Sequence, residues 1–210
     1  FDIVGAECRN VRENVGINEI HNFGKYKISG PGARNWLDII MAGRIPKPGR
    51  LSLTPMLSPK GKLIGDLTIS CLSDQEFMVT GSFGMQAFTM RWFLSHLPSD
   101  GSVEVENIST TRIGFQIAGP KARDLLSRVA FDDVSAEAFK FLDVKEMDVG
   151  TCHALIQRVS YTGDLGYEIY VPANEQVALY HTLTNAGQDL GLKPFGMRAM
   201  MSLRLEKSFG

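Results

Sequence analysis

The sequence predicts an α+β fold of two ferredoxin-like lobes, each with an antiparallel sheet carrying helices on one face. Two observations predict it. Apolar alternation comes in paired stretches that read as hairpins, and stretches of helical period interrupt them. A strand–turn–helix unit also occurs twice: YKISGPGARNWL (Tyr26–Leu37) and FQIAGPKARDLL (Phe115–Leu126) are identical at half of their positions without gaps. The shared Ile, Ala, Arg and Leu around a common Gly-Pro point to internal duplication.

In each copy the alternating apolar residues make a short strand. Gly-Pro ends it, because proline fixes φ and has no N–H to donate, and proline suits the start of the helix that Ala-Arg-x-x-Leu opens. Between the copies, residues 67–71 and 77–80 alternate as strands around Ser73-Asp74-Gln75. Residues 86–97 place Phe88 and Trp92 at helical spacing. Strands are expected again at 103–106 and 111–117. Residues 154–159 and 167–171 read as a hairpin around Thr162-Gly163-Asp164. Asn174 is the expected N-cap of a helix running to Leu190, with Leu179, Leu183, Ala186 and Leu190 on one face and Gly191 as its stop. A last helix is expected over 196–207. The lobes are expected to comprise residues 1–50 with 151–210, and residues 51–150.

Lys and Arg number 22 against 23 Asp and Glu, a net charge of −1, so the balance suggests neither a nucleic-acid nor a membrane partner. Cys8, Cys71 and Cys152 are few, odd in number and far apart. That fits a reducing compartment and supports neither a disulfide framework nor a metal site. The histidines show no metal-ligand spacing. No apolar run is long enough to span a bilayer, and no signal peptide is visible. The expected location is the cytoplasm, or the mitochondrial matrix in a eukaryote. The chain starts without methionine and stops inside a predicted helix, so a fragment of a longer protein is expected. A Gly-rich phosphate loop and a GxSxG nucleophile elbow are both absent.

Three stretches could carry chemistry. In LSPKGKLIGDLTIS, Asp66 opens an apolar strand where aspartate is disfavoured. It reads either as a solvated strand end or as a partly buried acid that orients or deprotonates an amine. In SYTGDLGYEIY, Tyr167 and Glu168 point to opposite faces, and Glu168 shares its face with Tyr170. If that face lines a cleft, Glu168 can accept two parallel N–H bonds from a planar heterocycle. In GMRAMMSLRLEK, Arg198, Ser202 and Leu205 share one helical face, while Met197, Met200, Met201 and Leu203 supply apolar packing. Arg198 reads as a carboxylate binder or a solvated surface residue. Arg204 and Glu206 do not face each other and read as structural.

As a set these stretches resemble the aminomethyltransferase family, the glycine-cleavage T-protein and its relatives. YTGDLGYEIYVP resembles its Tyr-Thr-Gly-x-x-Gly-hydrophobic-Glu segment, GMRAMMSLRLEK its Gly-x-x-Arg-x-x-x-Leu-Arg-Leu-Glu segment, and PKGKLIGDLTI the segment of its central aspartate. The opening FDIVGAECRNVRENVGI and the ending LRLEKSF look most like the folate-binding halves of dimethylglycine and sarcosine dehydrogenases. The resemblance implies tetrahydrofolate as cofactor, a methylamine-type substrate, and a flavin oxidoreductase domain as partner in cis or trans, with FAD confined to that domain. It implies that Glu168 grips the polar edge of the pterin, Arg198 holds the folate, and Asp66 acts near the reacting nitrogens. It makes Tyr161 and Tyr167 candidates for packing against the ring, with no metal required. The family's third, β-barrel lobe has no counterpart in this sequence. The enzyme reading expects Asp66, Glu168 and Arg198 to converge. A non-catalytic folate-binding or regulatory module and a tetrahydrofolate-dependent demethylase are the rival readings.

Overall fold

The computed structural model describes residues 1–209. In chain order its elements begin with α1 (Asp2–Glu13), β1 (Val15–Glu19), β2 (Gly24–Ser29), α2 (Ala33–Ile40), β3 (Arg50–Leu57) and β4 (Leu63–Ser73). There follow β5 (Glu76–Gly81), α3 (Gln86–Ser95), β6 (Glu104–Asn107), β7 (Arg112–Ala118) and α4 (Ala122–Val129). The rest are β8 (Val144–Val149), β9 (Cys152–Gln157), β10 (Gly166–Pro172), α5 (Gln176–Ala186), β11 (Leu192–Pro194) and α6 (Met197–Glu206). The fold is α+β, as the hairpin pattern predicts.

The strands form one sheet of order β11-β1-β7-β10-β9-β8 and another of order β3-β4-β5-β2-β6. Two compact units follow these sheets. One comprises Phe1–Ile20, Ile113–Phe141 and Glu146–Gly210; the other comprises His21–Arg112 and Leu142–Lys145. The units therefore do not divide at the expected 50/51 and 150/151 boundaries.

The five-stranded sheet is antiparallel throughout. Its core packs Tyr26 and Ile28 of β2 and Phe77 of β5 against Trp36 and Leu37 of α2 and Phe93 of α3. In the six-stranded sheet β1 pairs antiparallel with β7 and parallel with β11, and β9 pairs antiparallel with β10. Leu125 and Leu126 of α4 and Leu179 and Leu183 of α5 fill the core on one of its faces.

Each unit holds one copy of the duplicated motif, β2–α2 in one and β7–α4 in the other. The glycine of each Gly-Pro takes a positive φ, +120° at Gly30 and +132° at Gly119. A Cβ at Gly30 would lie 2.3 Å from the Ser102 carbonyl oxygen, and one at Gly119 2.5 Å from that of Asn14. Backbone packs where a side chain would sit, so both turns require glycine.

Two local expectations are corrected. Helix α5 stops at Ala186 rather than Leu190, because Gly187 turns the chain and its carbonyl accepts from Leu192 N–H. Asn174 lies in a 3₁₀ turn, Ala173–Glu175, ahead of that helix and does not cap it. Helix α1 and strands β1, β3, β8 and β11 have no counterpart among the expected elements. Among the described residues no helix is long and apolar enough to cross a membrane.

Candidate functional site

The six-stranded sheet has two unlike faces. Ile17 of β1, Phe115 and Ile117 of β7, Ile156 of β9, and Tyr167 and Ile169 of β10 all enter the helix-side core. Side chains alternate along a strand, so Asn18, Gln116, Gln157, Glu168 and Tyr170 point to the other face. Helices α1 and α6 pack over one end of that second face, where Val11, Ala118, Phe195, Ala199, Met200 and Leu203 cluster. Glu168 and α6 therefore lie on the same side of the sheet.

Glu168 is half-buried, and its Oε2 accepts a 2.7 Å hydrogen bond from the hydroxyl of Tyr170, which is fully buried. The shared face expected from strand alternation is thus a direct contact. Around this carboxylate the face is polar where a sheet interior would be apolar. Gln157 stands opposite Glu168 across β9–β10, and Asn18 stands opposite Gln116 across β1–β7. Gln116 and Gln157 have no exposed surface. Gln116 Nε2 donates to Ser160 Oγ at 3.2 Å, and Asn18 Nδ2 to the Phe195 carbonyl at 2.6 Å. Their oxygens, Gln116 Oε1 and Asn18 Oδ1, are buried without a partner among the described residues, as are both amide atoms of Gln157. A buried group left without a hydrogen bond costs about 1–3 kcal/mol, so such a concentration on one face calls for an explanation.

The turn that delivers β10 is clamped from α1 and α6. Arg12 donates to Asp164 Oδ2 at 2.5 Å and to Glu206 Oε2 at 2.7 Å. Arg204 donates to the Tyr161 hydroxyl at 2.6 Å and lies over its ring. Gly163 turns at φ +72°, and a Cβ there would sit 2.4 Å from Lys207 Cγ. Ser160 Oγ and Thr162 Oγ1 close the turn at 2.7 Å. Arg204 and Glu206 are structural, as their spacing suggested.

The remaining candidates land in different settings. Tyr161 is exposed at the turn and occupied by Arg204. Tyr167 is buried in the helix-side core against Phe139, on the face away from Glu168, where its ring serves packing. Burial pushes its hydroxyl above the ordinary tyrosine value; Arg123 pulls the other way, without a well-formed hydrogen bond to it. Arg198 lies on the exposed side of α6 with Ser202 and Leu205, and makes no hydrogen bond or ion pair among the described residues. Of the methionines expected to pack that helix, only Met200 is buried; Met197 and Met201 are exposed. Asp66 is an exposed residue of β4, opposite Pro55, in the five-stranded unit. Asn18, Gln116 and Gln157 escaped sequence reasoning. Gln116 and Gln157 each stand as a lone amide beside apolar neighbours, in FQIA and LIQR, but nothing local marks the position as sealed.

The family model described as the GCVT N-terminal domain matches residues 1–210. The chain is 38% identical over 210 residues to mitochondrial dimethylglycine dehydrogenase of Homo sapiens, covering all of the chain and 24% of that protein. It is 30% identical over 205 residues to the aminomethyltransferase of Halothermothrix orenii, covering 97% of the chain and 56% of that protein. Among solved structures, the glycine cleavage system aminomethyltransferase T from Bartonella henselae superposes with a TM-score of 0.85 at 22% identity, over 98% of this chain and 54% of its own. The chain thus spans about a quarter of the first of these proteins and about half of the other two.

Proposed function

The chain belongs to the GCVT N-terminal domain family, and on that premise we propose that it is a tetrahydrofolate-binding domain for aminomethyl or methylene transfer, part of a dimethylglycine- or sarcosine-dehydrogenase-like protein. The observation that carries the reading is Glu168: a half-buried carboxylate on an amide-lined sheet face, steered by the Tyr170 hydroxyl. The donor set fits the cofactor. A reduced pterin presents adjacent N–H donors along one edge, and a carboxylate accepts two parallel N–H bonds, each worth about 1.5–3 kcal/mol.

Tetrahydrofolate, when bound, supplies the nucleophilic nitrogens that accept the one-carbon unit. The chain's own residues hold and orient it. Glu168 grips the pterin edge, with Tyr170 fixing its rotamer. Arg198, an exposed guanidinium without a partner among the described residues, offers its donor fork to the folate. Asp66 takes a proton at the reacting nitrogen or stabilises positive charge as it develops. The methylamine-type substrate is delivered by an oxidoreductase domain in cis or trans, a reading supported by the identity to dimethylglycine dehydrogenase.

Asp66 separates binding from chemistry. In the complete protein, Asp66→Asn is expected to slow one-carbon transfer by roughly 10²–10⁴-fold while leaving 5-formyltetrahydrofolate affinity unchanged. Transfer at the wild-type rate would remove Asp66 from the mechanism. Lost affinity with normal transfer would make it a binding residue.

A further inference from the structure

We propose that Glu7 is a positioning residue for Arg198: from α1 it caps helix α6, and so fixes the guanidinium that the folate reading assigns to the cofactor. It rests on that reading, but Glu7 lies on a helix that the reading does not use.

Glu7 breaks the pattern of its own helix. Val4, Cys8 and Val11 of α1 cluster with Ala199, Met200 and Leu203 of α6. Residues three and four apart share a helical face, so Glu7, between Val4 and Val11, belongs to this apolar stripe. A half-buried carboxylate there needs a partner. It has one in α6, where its Oε2 accepts a 3.0 Å hydrogen bond from Gly196 N–H. Gly196 is the N-cap of α6 and has no side chain to cap with. Ala199, three residues on, lacks the acceptor that reaches back in a capping box. Glu7 fills that part from another helix, and its charge suits the positive end of α6.

Arg198 is the second residue of α6. It makes no hydrogen bond or ion pair among the described residues, so the backbone of that first turn sets its place. A first turn holds amides without partners inside the helix and frays when uncapped. The rest of α6 is held separately: Ala199, Met200 and Leu203 are buried, and Arg12 ties Glu206 to Asp164 at the far end. Losing Glu7 therefore loosens the turn that carries Arg198 and leaves the helix docked. A donor fork held in place before the ligand arrives binds with less ordering cost.

The test is a double-mutant cycle in the complete protein. Affinity for 5-formyltetrahydrofolate is read by titration calorimetry, and a melting curve checks that each variant is folded. Glu7→Ala is expected to weaken binding roughly two- to tenfold, the equivalent of one hydrogen bond, and to leave affinity unchanged once Arg198→Ala is present. Glu7→Gln keeps an acceptor of the same reach and is expected to bind like wild type. If Glu7→Ala does not fold, Glu7→Asp, one methylene shorter, takes its place in the cycle. An equal loss with and without Arg198→Ala overturns the proposal, because Glu7 then serves the fold as a whole. So does unchanged affinity in Glu7→Ala, or a loss in Glu7→Gln as large as in Glu7→Ala. Wild-type binding that Arg198→Ala leaves intact removes Arg198 from the site, and Glu7 with it, while the Glu168 reading stands. Absence of wild-type binding overturns the folate reading itself.

Discussion

The face that Glu168 occupies was legible from the sequence because strand geometry has a period of two, so a carboxylate between two apolar neighbours must face away from their core. The same rule placed Tyr170 beside it, and the structure turns that adjacency into a 2.7 Å hydrogen bond. Tyr170→Phe is expected to lower affinity for 5-formyltetrahydrofolate several-fold and stability by about 1 kcal/mol, read by calorimetry and by urea denaturation. Undiminished affinity would mean that the hydroxyl does not set the Glu168 rotamer. Gln116 and Gln157 were not legible. Glutamine is mostly an exposed residue, and a strand such as LIQR gives no sign that its polar position is sealed. Nor could the sequence decide between the two readings of Asp66; the structure places the side chain in an exposed position.

At the scale of elements, the Gly-Pro repeat was the clearest signal, and its reason is now physical. The strand and helix of each copy meet through a left-handed glycine packed on a neighbouring carbonyl, and no other residue fits. Gly119→Ala is therefore expected to destabilise the protein by more than ~1 kcal/mol, because Asn14 and Val11 carbonyls occupy the site of the new methyl group. An unchanged denaturation midpoint would contradict that geometry. Helix α1 was missed because it buries little: Val11 is its one fully buried residue, while Phe1 and Ile3 are exposed. Its position follows instead from α6 and from Arg12, which reaches Asp164 and Glu206. Those partners lie far away in sequence, and no local pattern announces them. The end of α5 was misjudged for a related reason: Leu190 continues the helical period, but Gly187 stops the helix first.

On the scale of the whole molecule, fold class and duplication were readable while the course of the chain between units was not. The chain passes from one unit to the other after Ile20, Arg112, Phe141 and Lys145. No Pro- or Ser-rich linker marks these passages, so composition offered nothing to cut on. The family, by contrast, was carried by short segments whose roles the structure now separates. YTGDLGYEIY combines a clamped turn, a core tyrosine and the candidate ligand carboxylate in one stretch. The most direct test of the central claim, that Glu168 marks a pterin site, is calorimetric titration of 5-formyltetrahydrofolate into the wild-type protein and into Glu168→Ala. The account predicts saturable wild-type binding that weakens at least about tenfold in the variant, the loss of a charge-assisted pair of hydrogen bonds. Equal affinity in the two proteins would contradict it.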